Sequence, residues 1–559
     1  MRVDSSYAAL PPIPTPHVDQ STLLAWLLYA GVGVVLLLLS AFLVIYFQPK
    51  NAAATTLPAF AGASTISAAP LQVTSRFVNV VCIFAINVSL LCLFTAPLDV
   101  YLLENSLPHV HANGQALKIL YQVYFGCLAA YSFIGAPLVY NYARQTEIAH
   151  ITMLFSAKQR LVVALKRTLC FLLGLSLLLV MAMVILQCGK PTSADIDWLR
   201  PLLNLTSDLG AFFRLVVGIL VLSGMYLWIF VCGRGLASVP LVGLLMENHG
   251  VNETENTFQD LLRENAMETQ ATDQTKETIL KRYAMEQQMS RMDQDRLEQL
   301  KMREQLLKDR RAVLEANLRR FTVRGRWSCW RVPIGVLLLL LSLLVLVSML
   351  ITSADKVFHS SFRKGYLLNS PKFPNPMDGL LVIASHFFPL DYVLFGVLFL
   401  YLFLVSFIVL VRHGVRFLCF RLDRLQPRLT SASTMAIVAL VFIYIAIVGL
   451  FSTLTLAPQY ATFGHQQYAD ETTGVVLPCT LEEAARSEAH PELPRHCRMS
   501  QLAHFYNTLS VTTPVFGCAF FLGQLLFIFS FVPWFAHAYY MAKPMPDDPK
   551  RERLLNDYE

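Results

Sequence analysis

Along this chain, long runs of apolar residues alternate with short polar or charged segments. Nine runs reach the roughly 20 residues needed to cross a hydrocarbon core: 22–47, 77–103, 117–142, 162–187, 210–232, 332–353, 390–411, 432–457 and 510–538. The pattern predicts an all-α polytopic membrane protein of about nine transmembrane helices. Two shorter apolar stretches, 236–246 and 379–388, read as interfacial or re-entrant pieces.

Between the fifth and sixth runs the pattern changes. Residues 247–331 are polar, and 254–320 hold no glycine or proline. Leu300, Leu307, Leu314 and Phe321 recur every seven residues, which predicts a charged helical insert. A helical hairpin or a short coiled-coil contact with a partner both fit, and a solvated helix folded on its own protein is the simpler reading.

Nine spans put the termini on opposite sides, and basic residues choose the orientation. Lys158 and Arg160, Arg412, Arg416, Arg421, Arg424 and Arg428, and the tail cations Lys543, Lys550, Arg551 and Arg553 all fall inside if the C-terminus is cytoplasmic. The expected organisation is a luminal or outside N-terminal segment (1–21) and transmembrane helices one to five (22–246). The cytoplasmic insert (247–331), helices six to nine (332–540) with a luminal loop at 458–506, and a cytoplasmic tail (541–559) complete it. That loop holds two well-separated cysteines, Cys479 and Cys497, and an oxidising lumen would join them in a disulfide. Two free thiols are the alternative. The sequon Asn204-Leu205-Thr206 also falls outside and is a candidate glycosylation site, whereas the sequon at Asn252 would be cytoplasmic and unused.

Composition adds exclusions. The 559 residues are 55% apolar, too many for a soluble globule of this length. The net charge of +7 sits in loops as a topology signal, with no basic stripe interleaved with stacking aromatics, so nucleic acid is not an expected partner. Of the eleven cysteines, Cys82, Cys92, Cys127, Cys170, Cys232 and Cys518 lie in apolar runs, and no set has zinc spacing, so no metal site is expected. GxxxxGK[ST], GxSxG and HExxH are all missing. No catalytic residue is assigned, the expected class is not an enzyme, and any ATP hydrolysis must come from a partner.

Two aspartates stand against long apolar runs, each in a Pro-Leu-Asp triplet. Asp391 follows Pro389 at a span start, where a carboxylate favours the helix N-terminus. Asp99 closes its span, where the same dipole opposes it. It calls for a fresh helix from Pro97, a basic partner from a neighbouring span, or a water-filled cavity.

Four stretches carry a wider resemblance: TLTLAPQYATFGHQQY (453–468), SADKVFHSS (353–361), ASHFFPLDYVL (384–394) and TAPLDVYLL (95–103). They resemble the limb-region membrane protein family, in particular its lysosomal cobalamin-handling members. APQY, a glycine and Q-x-Y are matched by Ala457–Tyr460, Gly464, Gln467 and Tyr468, and D-K-x-x-H-S by Asp355, Lys356, His359 and Ser360. The N-terminal extension, residues 48–76 and the insert depart from the family pattern, and the tail is shorter.

The resemblance implies a multi-pass protein of the lysosomal membrane that helps move cobalamin from lumen to cytosol. It further implies an ABC-type transporter as partner, cytosolic cobalamin-handling proteins, a possible homodimer and membrane lipids around the spans. Cobalamin is then a cargo, and no covalently bound cofactor is expected. Asp99, Asp355, Lys356, His359, Asp391, Gln459, Tyr460 and Gln467 form the candidate luminal polar cluster. Two other readings stay open. A plasma-membrane or endosomal receptor, or endocytic adaptor, for a secreted ligand would use the same loops, with Leu554–Leu555 as a weak sorting signal. A stand-alone secondary transporter would be expected to show internal repeats and ionisable residues at midplane; here they lie at span ends.

Overall fold

A helix apolar on every side, such as ASTMAIVALVFIYIAIVGLFSTLTL (432–456), has no face to show to water and needs neighbours all round. In the computed structural model this run is the centre of the bundle, with 83% of its apolar stretch buried, against 22% for the first span. The structure describes residues 20–48, 76–104, 111–152, 157–188, 209–245, 250–283, 290–326, 328–361, 365–414, 430–469, 475–489 and 497–542, with 416–417, 420–421 and 425 besides. The protein is an α-helical, polytopic membrane protein, and eight helices among these residues are long and apolar enough to cross a membrane. Eight of the nine sequence runs correspond to them. The remaining run, 162–187, falls in a 32-residue helix whose first turns carry Lys158, Arg160, Lys166 and Arg167.

The helices are α1 (Gln20–Phe47), α2 (Arg76–Glu104), α3 (His111–Ala130), α4 (Ala136–Thr152), α5 (Ala157–Cys188), α6 (Leu209–Leu227) and α7 (Arg234–Leu245). They continue with α8 (Gly250–Arg282), α9 (Arg291–Arg326), α10 (Ser328–His359), α11 (Pro376–Ser385), α12 (Leu390–His413) and α13 (Ala432–Leu456). The last four are α14 (Pro458–Phe463), α15 (Leu481–Ala489), α16 (Gln501–Thr512) and α17 (Pro514–Ala542). Two small antiparallel hairpins, β1–β2 (Arg416–Phe417 with Phe420–Arg421) and β3–β4 (Gln467–Ala469 with Val476–Pro478), complete the described elements.

The chain divides into two compact units. In the first, residues 1–235 and 344–530, α13 packs on α2, α4 and α6, and α1 packs on α2. Two spans of this unit contain a π-helical turn, at Tyr131–Gly135 and Trp228–Gly233. Each widened turn presents a buried ring: Tyr131 donates to the Ala436 carbonyl at 3.3 Å, and Trp228 stacks on Phe527 at 5.3 Å. At one backbone crossing only glycine fits. A Cβ on Gly517 would stand 2.5 Å from the Gly365 carbonyl oxygen, and Gly365 itself has φ +61°.

In the second unit, residues 236–343 and 531–559, α8 and α9 form an antiparallel hairpin. Lys276 Nζ meets Glu304 at 2.7 Å, Asn265 Nδ2 donates to the Leu307 carbonyl at 3.1 Å, and Tyr283 bonds Asp293 near the turn. Leu307, from the seven-residue repeat, is buried with Ile279. Among the described repeat residues, Leu307 is thus covered within the hairpin itself.

Two sequence expectations change. Pro97 starts no new helix; α2 runs through it to Glu104, with the missing N–H at Pro97 tolerated inside the span. The 236–246 stretch is not a separate re-entrant piece, since α6, its π turn and α7 are continuous from Leu209 to Leu245. The 379–388 stretch lies mostly in the ten-residue helix α11, too short to span.

Candidate functional site

At one end of the bundle three chain reversals meet: the α10–α11 connection, the α11–α12 corner and the α13–α14 break. The α10–α11 connection and the α13–α14 break leave backbone N–H groups that helices cannot satisfy, and buried acids satisfy them, whereas the N–H groups of His386, Phe387 and Leu390 at the α11–α12 corner bond backbone carbonyls. Asn375 starts α11, with Pro376 at the first helical position; its Oδ1 accepts from Met377 N at 3.1 Å and Asp378 N at 3.4 Å. Its Nδ2 donates to Thr352 Oγ1 at 2.9 Å and to the Leu456 carbonyl at 2.8 Å, joining α10, α11 and α13.

Asp378, one turn on, accepts from Tyr460 N at 2.9 Å and Gln459 N at 3.2 Å, the first free N–H groups of α14. Burial pushes the Asp378 carboxyl up to about 6, and the two N–H donors counter it only in part. Tyr460 also turns its hydroxyl to Asp391 Oδ2 at 3.0 Å. One buried tyrosine thus ties two aspartates from two helices to the APQY break. Gln459 takes part through its backbone.

Asp99 has a different partner from those its sequence position calls for. Its carboxylate accepts from Leu502 N at 3.1 Å, at the first turn of α16, whose N-cap Ser500 accepts from Ala503 N at 3.1 Å. The dipole that opposes Asp99 in its own helix is replaced by the favourable positive end of another. Ser500 also donates to the Ala461 carbonyl at 2.7 Å, so α14 and α16 are held together.

Asp355, at the end of α10, is buried; Oδ1 meets His359 Nδ1 at 2.7 Å, and Oδ2 accepts from Lys372 N at 2.8 Å. Lys356 is buried as well. Its ammonium donates to Thr455 Oγ1 at 3.2 Å, and among the described residues no carboxylate pairs with it. The structure therefore joins Tyr460 to Asp391 and His359 to Asp355, and directs Asp99 and Lys356 to separate partners. Gln467 sits in β3 opposite Pro478.

Cys479 and Cys497 form a disulfide with Cα atoms 5.7 Å apart, packed on Phe463 and Ala484. Gln466 reinforces this loop, its Oε1 accepting from Arg498 N at 3.0 Å. His386 and His465 stack with ring centroids 4.4 Å apart, and Ser385 Oγ meets His465 Nδ1 at 3.0 Å. Burial, then the neighbouring His386, lowers the His465 imidazole below its ordinary value. Asn204 lies outside the described residues.

Asn375, Asp378 and Ser500 were not selected as candidates from sequence. The stretch NPMDG (375–379) does carry a helix-start signature, asparagine cap, proline and acid in the first turn. Nothing in it shows that the acid reaches another helix. Among the described residues no group of three histidine, cysteine or acidic side chains is placed to hold a metal ion. What the arrangement does chemically is fix chain reversals with buried carboxylates.

The chain is related along most of its length to proteins named "Probable lysosomal cobalamin transporter". The relative in Nematostella vectensis is 25% identical over 545 residues, covering 91% of this chain and 92% of its own. That in Emericella nidulans is 26% identical over 543 residues (91% and 89%), and that in Coccidioides immitis 25% identical over 549 (90% and 88%). No family model and no solved structure matches the chain.

Proposed function

We propose that this chain is a multi-pass protein of the lysosomal membrane that takes part in moving cobalamin from the lumen to the cytosol. The observation that carries the reading is the end-to-end match to proteins named for that task, spanning about nine-tenths of both chains. Similarity of that extent includes the spans and the loops between them, not one shared module.

Within that role we read the chain as an escort or adaptor of an ABC-type transporter. The polar groups at the outer end are committed to backbone N–H groups and hydroxyls, as Asp99, Asp378 and Asp391 illustrate. The cavity that adjoins α3, α6 and α16 holds about 140 Å³, and an apolar one between α1, α2, α12 and α13 about 330 Å³. Sites for drug-sized ligands run from ~300 to ~1,000 Å³, and a corrinoid is larger still and rich in polar groups. Cargo of that kind fits a surface shared with a partner better than the small pocket or the apolar one. The α8–α9 hairpin, charged and closed on itself, supplies a rigid face for cytosolic proteins.

Lysosomes isolated from cells with and without the chain, loaded with labelled cobalamin and supplied with ATP, test the reading. Release that needs both the chain and ATP, and a P-loop protein retained by the tagged chain, are the expected results. Release by the purified chain alone in vesicles, driven by an ion gradient, would replace the escort with a secondary transporter.

A further inference from the structure

We propose that the 140 Å³ pocket between α3, α6 and α16 binds a phosphate monoester carried on an apolar body. Its wall combines two features that serve no packing purpose together. Lys118 and half-buried Arg214 both line it, and among the described residues neither is paired with a carboxylate. Phe125, Phe213 and Phe505 line it too, with Phe505 5.3 Å from Phe125 and 6.5 Å from Phe213 between ring centroids. Asp99, a buried acid of α2, is engaged by Leu502 N and is not part of the wall.

Charge and volume together define the ligand. Arg214 and Lys118 together carry +2, and a phosphate monoester brings about −1.5 to −2 near neutral pH, where a carboxylate would balance only one of them. Arginine suits phosphate by its planar fork and lysine by its point charge. An apolar cavity of ~150 Å³ accepts one benzene ring, so the body that enters among the three phenylalanines is one ring or a short acyl segment. The phosphate then lies toward exposed Lys118. His504, also on the wall, adds a donor. This inference stands apart from the cobalamin reading, because it uses only the pocket's own residues.

The test uses the full chain in phosphatidylcholine nanodiscs, titrated with phenyl phosphate and, separately, with inorganic phosphate. Phenyl phosphate is expected to bind saturably and inorganic phosphate about tenfold more weakly or less, having no ring to bury. Arg214→Gln with Lys118→Gln is expected to weaken phenyl phosphate binding about a hundredfold, at about tenfold for each lost charged hydrogen bond. Arg214→Lys keeps the charge and is expected to recover part of the loss, which separates ligand contact from misfolding. Phosphatidic acid added to the nanodisc distinguishes the sources: competition with phenyl phosphate identifies a leaflet lipid as occupant, and no competition a soluble ester. Wild-type protein that binds no more phenyl phosphate than empty nanodiscs, or a double variant that binds as tightly as wild type, overturns the proposal.

Discussion

Tyr460 donates its hydroxyl to Asp391 at 3.0 Å while its backbone N–H donates to Asp378 at 2.9 Å, so one residue holds two carboxylates from opposite sides of the α11–α12 corner. Tyr460→Phe removes the first bond and leaves the second. The Asp391 carboxylate is then buried with one donor fewer, at a cost of about 1–3 kcal/mol. Thermal unfolding in detergent is expected to shift down by several degrees, and Asp391→Asn in the same background to add little, since the two changes break one interaction.

Asp378 gives the fold a pH dependence of definite sign. Its folded carboxyl is raised to about 6 by burial, against ~3.9 unfolded, so the folded state holds the proton more tightly. Its contribution is complete below pH ~4 and is lost as pH rises through about 6. His465, lowered by burial, works in the opposite sense: its contribution is present above its unfolded value and lost as pH falls. The difference between wild type and Asp378→Asn therefore isolates the aspartate. Unfolding temperatures recorded from pH 4 to 7 are expected to show a smaller decline with pH in the variant.

The disulfide closes a separation of 18 residues in the loop that packs on Phe463. A loop of that length corresponds to about 3 kcal/mol of stabilisation. Cys479→Ser with Cys497→Ser is expected to lower the unfolding temperature and to abolish its response to reductant, which the wild-type chain should show.

Lys356 is a buried cation whose hydrogen bond goes to a hydroxyl, Thr455 Oγ1. Its desolvation is poorly offset, so Lys356→Met is expected to match or exceed wild type in stability, by about 1 kcal/mol or more. A charge kept at such a position without a stabilising return points to use of the charge. The same variant is expected to lower cobalamin release while it unfolds no earlier than wild type.

How far the sequence reveals these features depends on the range of the interactions. The spans are legible because burial in lipid imposes length and apolarity on each segment by itself, as in the all-apolar α13. The insert is legible from its own local repeat, of which Leu307 is buried. Asp391 is explained in part by Pro389 beside it. Asp99 is not, because its donor, Leu502, lies 403 residues away. Asp378 reads as an ordinary first-turn acid, and its role depends on backbone N–H groups of Gln459 and Tyr460 that no side-chain pattern marks. Side-chain periodicity records burial; which helix end meets which carboxylate is decided by the assembled fold.

The most direct test of the central claim is the partition of labelled cobalamin between lysosomes and cytosol in cells that lack the chain and are then supplied with it. Lysosomal accumulation is expected in its absence, with full reversal by the wild-type chain and incomplete reversal by the Lys356→Met variant at equal abundance. An unchanged partition, with the chain located at the cell surface, would contradict that claim.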